Sequence, residues 1–403
     1  MNEFVETLLD LPWQTGEPKS SYDVVIIGAG GHGLATAYYL ATRHGITNVC
    51  VLDANFIGSG NSGRNTTIIR SNYGIPESVR FYQRSLEMYQ QLEDETGCWI
   101  MHSTKGQIWM AHSVMTARTE QTRALMNTAC GAKTDFIGPD EVKRLCPQLD
   151  ITGGGRYPVH GASYHHEGAT ARHDRVVWAY AQGALRAGVH VYQHTPVTGL
   201  LRDGERVTGV VTPRGNISAG TVIAAVGGHV STVSAWADVR LPIRTHALQA
   251  FVTNAYAQEF APIVSSNDLV FYVSQTPRGQ MLIGAEYDSF ASYRQATTFS
   301  YLQACSKKAV TMLPFLGKLR ILRSWTGICD VSTDFSPILG PTTTDGFWLS
   351  TGWGTWGFKA IPAAGEQLAM WLATGRAPLI EPFGLSRFAA ESAMADPSSA
   401  GTR

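Results

Sequence analysis

The chain has 403 residues, in which 32 lysines and arginines balance 32 aspartates and glutamates, so the formal net charge is zero. This balance argues against nucleic acid, or any other partner held by bulk electrostatic attraction. The chain is 44% hydrophobic and 16% charged, against about 25% charged in average globular proteins, which excludes extended disorder and supplies material for large cores.

The first 20 residues predict an arm before the folded part of the chain, which packs either on this chain or on another one. Residues 1–10 carry acidic side chains but no basic one, so they lack the positive region of a secretory signal peptide. No apolar run approaches the ~18 residues that cross a bilayer, and the six cysteines form no CxxC pair, as is typical of reduced thiols. We therefore expect a cytoplasmic protein that does not bind membranes.

Residues 22–53 have the pattern of a strand, a glycine-rich turn, a helix and a second strand. The β-branched run YDVVII is typical of a strand buried on both faces of a parallel sheet, and GAGGHG follows it directly. In such a unit the glycines permit the turn, the approach of a pyrophosphate and close packing of helix on strand, and an acidic residue accepts ribose hydroxyls. Gly28, Gly30, Gly33 and Asp53 are therefore predicted to bind an ADP-containing dinucleotide. The alternative is an ordinary glycine-rich turn.

A second apolar strand, TVIAAV, is followed by Gly227. It repeats the order of strand and glycine far downstream, as flavoproteins do where the chain returns to the cofactor, and it favours FAD over NAD. Alternating stretches predict antiparallel strands at residues 207–212, 269–274 and 280–284. Helical patterns lie at residues 179–187 and 364–373.

These patterns predict an α/β fold in which a Rossmann-like FAD-binding domain is interleaved with an antiparallel-sheet substrate domain. We assign to the FAD-binding domain residues 21–95, 160–240 and 325–388. The substrate domain takes residues 96–159 and 241–324. Residues 389–403 turn into small polar residues with proline and glycine, and we expect a disordered tail there.

Two cations lie within glycine-rich or irregular segments: Arg70 in NTTIIR and Lys359 in GWGTWGFK. In a charge-poor protein, a buried arginine and a buried lysine need an anionic partner, and one substrate carboxylate would serve both. The alternative is that each pairs with an acidic side chain at the surface.

Four histidines between residues 160 and 173 raise the question of a metal site. His165 and His166 are adjacent, and no carboxylate stands at the usual helical spacing from them, so we expect no metal. His173, in the segment RHD, precedes an apolar run. Judged from the residues alone, this segment is a helix start, with Asp174 near the positive end of the helix dipole.

Five segments of the chain resemble the signature segments of one family, the β subunits of heterotetrameric sarcosine oxidase. The likeness extends over residues 22–388, and the segments stand in the same order. They are YDVVIIGAGGHGLATAYYL, GNSGRNTTIIRSNY, GATARHD, LRSWTGICD and GWGTWGFKA. Several long segments in the right order are more specific than any one of them.

The resemblance implies a subunit that binds FAD non-covalently on the Rossmann-like unit and FMN covalently through His173. It places Arg70 and Lys359 at the substrate carboxylate, beside the FAD ring. The same segments extend the set of expected cofactor-binding residues to Arg64, Asn65, Thr66, Gly354 and Gly357. Gly227, which follows the downstream apolar strand, completes the set. Trp356 stands where these subunits usually have a small residue. It narrows the pocket, excludes sarcosine in favour of another secondary amine, or serves packing alone.

The reaction implied by the resemblance removes a hydride from the methyl group of sarcosine (N-methylglycine) to FAD, from which electrons pass to FMN and then to O2. The products are glycine, H2O2 and either formaldehyde or methylenetetrahydrofolate. The implied partners are a large α subunit, with folate and NAD sites, and small γ and δ subunits. Two alternatives stay open: a proline- or opine-type secondary-amine dehydrogenase subunit, and a flavin electron-transfer or scaffold subunit without amine oxidation.

Overall fold

The computed structural model describes residues 11–14 and 16–389. In chain order, the α-helices of these residues are α1 (Gly31–His44), α2 (Pro76–Thr96), α3 (Val114–Ala129), α4 (Pro139–Leu145), α5 (His173–Arg186), α6 (Val230–Ala235), α7 (Phe299–Met312) and α8 (Gly357–Thr374). The strands are β1 (Ser21–Ile27), β2 (Val49–Leu52), β3 (Ile68–Ile69), β4 (Ser103–Thr104), β5 (Gln107–Ala111), β6 (Thr134–Ile137), β7 (Gly161–His165), β8 (Ala169–Thr170), β9 (His190–Tyr192), β10 (Gly199–Asp203), β11 (Arg206–Thr212), β12 (Gly215–Ala224), β13 (Ile243–Ala255), β14 (Ile263–Ser266), β15 (Phe271–Gln275), β16 (Gln280–Ala291), β17 (Ile321–Ser332), β18 (Ile338–Pro341) and β19 (Phe347–Thr351).

The first sheet has eight strands and a parallel centre. Strand β1 lies between β12 and β2, parallel to both, while β9 and β19 extend the parallel part on the two sides. Because alternate residues of a strand face opposite sides, β1 contributes to two cores. Val24 and Ile26 pack in the core that contains α1, α5 and α8, and Val25 and Ile27 pack in the core on the other side.

The second sheet also has eight strands, in the order β17-β13-β16-β15-β14-β5-β7-β6. Every neighbouring pair is antiparallel except β14 with β5. Apolar residues of α4 and α7 cover one face of this sheet. A small third sheet, β3-β8-β4, contains the residues directly before Arg70 and places that side chain between the two large sheets.

The mixed α/β fold class predicted from the sequence is confirmed by this architecture. The domain boundaries stay a prediction. Strand β7 and all of β17 pair within the second sheet, whereas the predicted boundaries assign residues 160–240 and 325–388 to the FAD-binding domain.

Part of the predicted arm packs on this chain. Leu11 is buried, the Trp13 indole meets Trp178 edge to face at 5.9 Å, and the Gln14 Oε1 atom accepts a hydrogen bond of 3.0 Å from the Val191 N–H group. The remainder of the arm, residues 1–10, and nearly all of the predicted tail lie outside the described residues. No helix in the described part of the chain is both long and apolar enough to cross a membrane.

Candidate active site

The turn between β1 and α1 is shaped for close backbone contact. Gly28 has φ +110°, and a Cβ atom there would lie 2.4 Å from the carbonyl oxygen of Ala225. A Cβ atom on Gly33 would lie 2.0 Å from the carbonyl oxygen of Gly28. Only glycine fits either position without a shift of the backbone. The first residues of α1 line the cavity beside the turn, and the Gly31 N–H group donates to the Ser62 hydroxyl at 2.9 Å.

The carboxylate of Asp53 lies at the end of β2 and faces this turn. Its Oδ2 atom accepts a hydrogen bond of 2.8 Å from the Ala29 N–H group, and its Oδ1 atom accepts one of 2.8 Å from the Asn55 N–H group. Each carboxylate oxygen can accept a further hydrogen bond. The residue therefore fixes the turn and can still bind ribose hydroxyls.

A cavity of about 510 Å³ begins at the glycine turn and extends between the two large sheets. Eleven of the thirteen predicted site residues line it: Gly28, Gly30, Asp53, Arg64, Asn65, Thr66, Arg70, Gly227, Gly354, Gly357 and Lys359. Gly33 instead packs beneath the turn on Ile26, and His173 lies outside the cavity lining. The structure thus brings together residues that are up to 331 positions apart between Gly28 and Lys359.

Arg70 is 5% exposed, and its surroundings fix the guanidinium group. Its Nη1 atom donates to the backbone oxygen of Asn72 at 2.5 Å and to the side-chain oxygen of the same residue at 3.1 Å. The guanidinium carbon stands 4.1 Å from the Tyr73 ring centre and 4.6 Å from that of Trp109. Such stacking holds the planar group in one orientation.

Lys359 lies in the first turn of α8 and is 9% exposed. Its Nζ atom donates to the Thr355 carbonyl oxygen at 3.1 Å, and no carboxylate of the described residues forms an ion pair with it. Burial, together with the positive charge of Arg70, holds the pKa of the lysine well below its usual range. The cavity wall thus carries two buried basic side chains whose positive charges repel each other, and the prediction that they bind one anion between them stays a prediction.

In the loop before Arg70, the polar side chains form hydrogen bonds mainly with the backbone of the same loop. Arg64 donates to the carbonyl oxygens of Ser59 and, at 2.9 Å, of Gly60. Asn65 accepts a hydrogen bond of 2.7 Å from the Thr67 N–H group, and Thr66 donates to the Tyr272 hydroxyl at 3.2 Å. These three predicted cofactor-binding residues line the cavity and also build its wall.

Several cavity residues were missed by the sequence prediction. His32 and Trp353 stack face to face, with ring centres 3.9 Å apart and an interplanar angle of 8°. Gln107 and Trp109 line the cavity from β5. The position of His32 inside the glycine motif was an available signal, whereas β5 has the short sequence QIWMA, in which nothing local marks Gln107.

His173 is the first residue of α5 and is half-buried. Burial lowers the pKa of its imidazole, so the ring is uncharged near neutral pH. The neighbouring Arg172 and Asp174 bind each other through two hydrogen bonds of 2.9 and 2.6 Å. The backbone connects this site to the cavity, because the Ala171 N–H group donates to the carbonyl oxygen of the cavity residue Thr67 at 3.3 Å.

The structure also gives the surroundings of Trp356 and of the neighbouring histidines 165 and 166. Trp356 is fully buried against Tyr73 and Tyr82 and is not part of the cavity lining, so it serves packing. His165 is buried, with its pKa lowered to about 3, and its Nε2 atom lies 3.3 Å from the Ser71 N–H group, directly after Arg70. His166 instead pairs with Asp135 at the surface. Over the described residues, no three histidine, cysteine or carboxylate side chains gather into a metal site.

A glycine turn on a parallel sheet, an acidic residue at the end of the second strand and a cavity that leads to two buried cations define a dinucleotide-dependent oxidoreductase fold. The sequence model of the family described as FAD dependent oxidoreductase matches residues 23–371. The chain belongs to this family, and the predictions of FAD and of an oxidoreductase are confirmed.

Among its curated relatives are two proteins named sarcosine oxidase subunit beta. The one from Arthrobacter is 42% identical over 93% of each chain, and the one from Rhodobacter capsulatus is 42% identical over 93% of this chain and 91% of its own. The predicted resemblance to this family is thereby confirmed. Among solved structures, L-proline dehydrogenase from P. horikoshii superposes with a TM-score of 0.87 at 27% identity, over 93% of this chain and 99% of that chain.

Proposed function

We propose that this chain is the catalytic subunit of an enzyme that oxidises sarcosine. The observation that carries the proposal is the pair of buried cations, Arg70 and Lys359, on the wall of a cavity that begins at a dinucleotide-binding turn. An amino acid places a carboxylate one carbon away from an amine, so binding the carboxylate there fixes the carbon to be oxidised. The names of the curated relatives support sarcosine as the substrate.

In this proposal the substrate carboxylate lies between the two cations. Arg70 presents a fixed, planar set of donors that suits two carboxylate oxygens. Lys359 adds a second positive charge from the first turn of α8. Both charges disfavour a protonated substrate amine nearby, and they therefore leave the nitrogen lone pair available to support loss of a hydride from the N-methyl carbon.

The residues of the cavity fit a non-covalently bound FAD. The N-terminus of α1, which lines the cavity, suits a pyrophosphate, and Asp53 suits a ribose. FAD, when bound, supplies the acceptor for the hydride. The chain also contributes the remaining predicted contacts: Arg64, Asn65, Thr66, Gly227, Gly354 and Gly357.

His173 is proposed to carry FMN covalently. Its uncharged imidazole has a nucleophilic nitrogen. The residue lies outside the cavity lining, two positions after Ala171, whose N–H group donates to the cavity residue Thr67. FMN there would supply the relay between FAD and O2. The complete reaction converts sarcosine, O2 and water to glycine, formaldehyde and H2O2, or yields methylenetetrahydrofolate where a partner's folate captures the one-carbon unit.

The proposed partners are a large α subunit and small γ and δ subunits, and the proposed compartment is the cytoplasm. His173 is half-buried in the single chain, and a site for a whole flavin there needs walls from another subunit. After acid precipitation of the co-expressed complex, we expect the protein to stay yellow and the tryptic peptide with His173 to gain the mass of FMN. An active complex without that peptide would contradict the attachment.

Anaerobic reduction of the flavin by sarcosine in the co-expressed complex tests the function. We expect the visible flavin absorbance to bleach in the wild type. Arg70→Lys keeps the charge but loses the two-pronged geometry, so it is expected to weaken sarcosine binding by about tenfold or more. Unchanged reduction in both Arg70→Lys and Lys359→Ala would contradict the site assignment.

A proline-type secondary-amine dehydrogenase is the second candidate, and it is favoured by the structural similarity to L-proline dehydrogenase. Proline is also a secondary amine with an adjacent carboxylate, so the two cations would serve it equally. Reduction of the flavin by proline but not by sarcosine would favour this candidate. Reduction by neither amine would favour a subunit that only transfers electrons or acts as a scaffold.

A further inference from the structure

Strand β5 has two chemically different faces. Its Ile108 and Met110 pack in the apolar core that α4 and α7 cover. Because side chains of a strand alternate, Gln107 and Trp109 point the other way, and both line the cavity. A glutamine is therefore built into the cavity wall by the register of the strand.

The carboxamide of Gln107 is buried, and only its nitrogen has a hydrogen-bond partner in the described residues. The residue is 1% exposed, and its Nε2 atom donates to the Ser265 hydroxyl at 2.9 Å. Its Oε1 atom has no hydrogen-bond partner anywhere in the described part of the chain. A buried acceptor without a donor costs free energy, so such an atom in a cavity wall points to a donor on a ligand.

Gln107 lies at the end of the cavity where the two cations are. The Trp109 ring, two residues along the same strand, stacks on the guanidinium of Arg70. Opposite Gln107 in the pairing of β5 with β7 is His165, which contacts Ser71, the residue after Arg70. Gln107, with its unpartnered Oε1 atom, and Arg70, which would hold the substrate carboxylate, therefore lie on the same part of the cavity wall.

We propose that the Oε1 atom of Gln107 accepts the N–H hydrogen bond of the substrate amine and that Gln107 thereby selects amines that carry an N–H. The inference rests on the proposed function, because an amino acid held by its carboxylate at Arg70 has its amine one carbon farther along the wall. Neutral sarcosine has one N–H group to donate. A neutral tertiary amine such as N,N-dimethylglycine has none.

The test compares two ligands of the co-expressed, FAD-loaded complex. Sarcosine carries the N–H group, and (methylthio)acetate is its analogue with sulfur in place of the nitrogen, so it keeps the carboxylate and lacks the donor. In Gln107→Leu we expect the dissociation constant of sarcosine, from anaerobic flavin reduction, to rise about tenfold, as for a lost buried hydrogen bond. The dissociation constant of (methylthio)acetate, from the flavin difference spectrum, is expected to change by less than about twofold.

Equal changes for both ligands, or no change for either, would overturn the proposal. Ser350→Ala is the matched control. Ser350 Oγ is also a buried oxygen of the cavity lining without a partner in the described residues, but it stands on β19 of the first sheet and not on the strand that carries Trp109 beside Arg70. Its loss should leave the ratio of the two constants unchanged. If Gln107→Leu fails to retain FAD, Gln107→Asn tests the same ratio with a shorter carboxamide. A wild-type flavin that sarcosine does not reduce would contradict the proposed function itself, separately from the role of Gln107.

Discussion

At the scale of single residues, the cavity wall contains a side chain in a costly backbone conformation. Thr67 has φ +63°, a left-handed conformation that is rare for a β-branched residue and costs on the order of 1–3 kcal/mol. The Asn65 side chain accepts the Thr67 N–H hydrogen bond, and the Ala171 N–H group holds the Thr67 carbonyl oxygen. Asn65 therefore acts on the cavity through the backbone as well as by lining it.

A double-mutant cycle separates these two roles of Asn65. Asn65→Ala removes the acceptor that holds Thr67, and we expect the dissociation constant of FAD to rise roughly fivefold to thirtyfold, the equivalent of about 1–2 kcal/mol. Glycine adopts the left-handed conformation freely, so Thr67→Gly is expected to restore most of that affinity in the double variant. FAD titration of the apoprotein measures both. An Asn65→Ala defect that Thr67→Gly leaves intact would mean that Asn65 contacts FAD directly.

The depressed pKa of Lys359 predicts how ligand binding depends on pH. Only the protonated amine attracts a carboxylate, and burial next to Arg70 makes that form scarcer than in an exposed lysine. The affinity for (methylthio)acetate, whose charge is constant above acidic pH, should therefore fall as pH rises, beginning below the value of about 10.4 typical of an exposed lysine. In Lys359→Met the affinity is expected to be low and independent of pH in that range. An equal pH slope in both proteins would assign the titration to another group.

At the scale of secondary-structure elements, one ring pair joins the two helix N-termini that face the cavity. His32 belongs to the first turn of α1, and Trp353 precedes α8 and Lys359. Burial lowers the pKa of His32 to about 3, so the ring is neutral. The stack connects the glycine turn with the helix that carries Lys359, the proposed partner of the substrate carboxylate.

Removal of this ring pair should therefore weaken binding at the FAD end and at the proposed substrate end of the cavity. For His32→Ala we expect a weaker FAD complex and a higher KM for sarcosine, since a stacked aromatic pair contributes about 0.5–1.5 kcal/mol beyond its buried area. His32→Phe keeps a ring of similar size in the stack and should stay close to wild type in both quantities. A phenylalanine variant as defective as the alanine variant would instead assign the effect to the ring nitrogens.

The sequence predicts elements and sites best where the signal is local. The strand, glycine turn, helix and Asp53 stand within 32 residues, and their roles follow from backbone sterics. Arg70 and Lys359 could be selected because glycine-rich or irregular segments surround them in a charge-poor chain and because those segments match the family. Gln107 could not be selected, because its significance depends on the register of β5 against β7 and β14, and pairing between distant strands leaves no periodic signal. His173 was selected through the family resemblance, since its own surroundings describe a helix start.

At the scale of the whole molecule, a buried ion pair attaches the end of the described chain to the body. Arg387 donates two hydrogen bonds, of 2.8 and 3.0 Å, to the carboxylate of Asp334, and both side chains are almost fully buried. The same guanidinium binds the carbonyl oxygens of Phe383 and Ser336. The segment after α8 is thus fixed against the turn between β17 and β18.

Breaking one side of this pair should destabilise the entire protein. Arg387→Met leaves a buried carboxylate without its cation, and we expect a loss of about 3–5 kcal/mol in the free energy of unfolding. The double variant Arg387→Met with Asp334→Leu removes both charges and should recover part of the loss. The temperature at which half of the FAD is released on heating ranks the stability of the wild type, Arg387→Met and the double variant. A double variant less stable than Arg387→Met would show that the unpaired charge of Asp334 is not the main cause of the destabilisation.

The order of strands in the first sheet also has a consequence for the newly made chain. Strand β1, which begins the dinucleotide-binding turn, pairs with β12, which in turn pairs with β19, and α1 packs on α8. The core around the turn is therefore incomplete until nearly all of the chain has left the ribosome. FAD capture is expected to be a late event: stalled chains that end before residue 347 should not retain FAD, whereas released full-length chains should. The glycine turn after β1 is thus synthesised early, but it binds FAD only after β19 and α8 have been made.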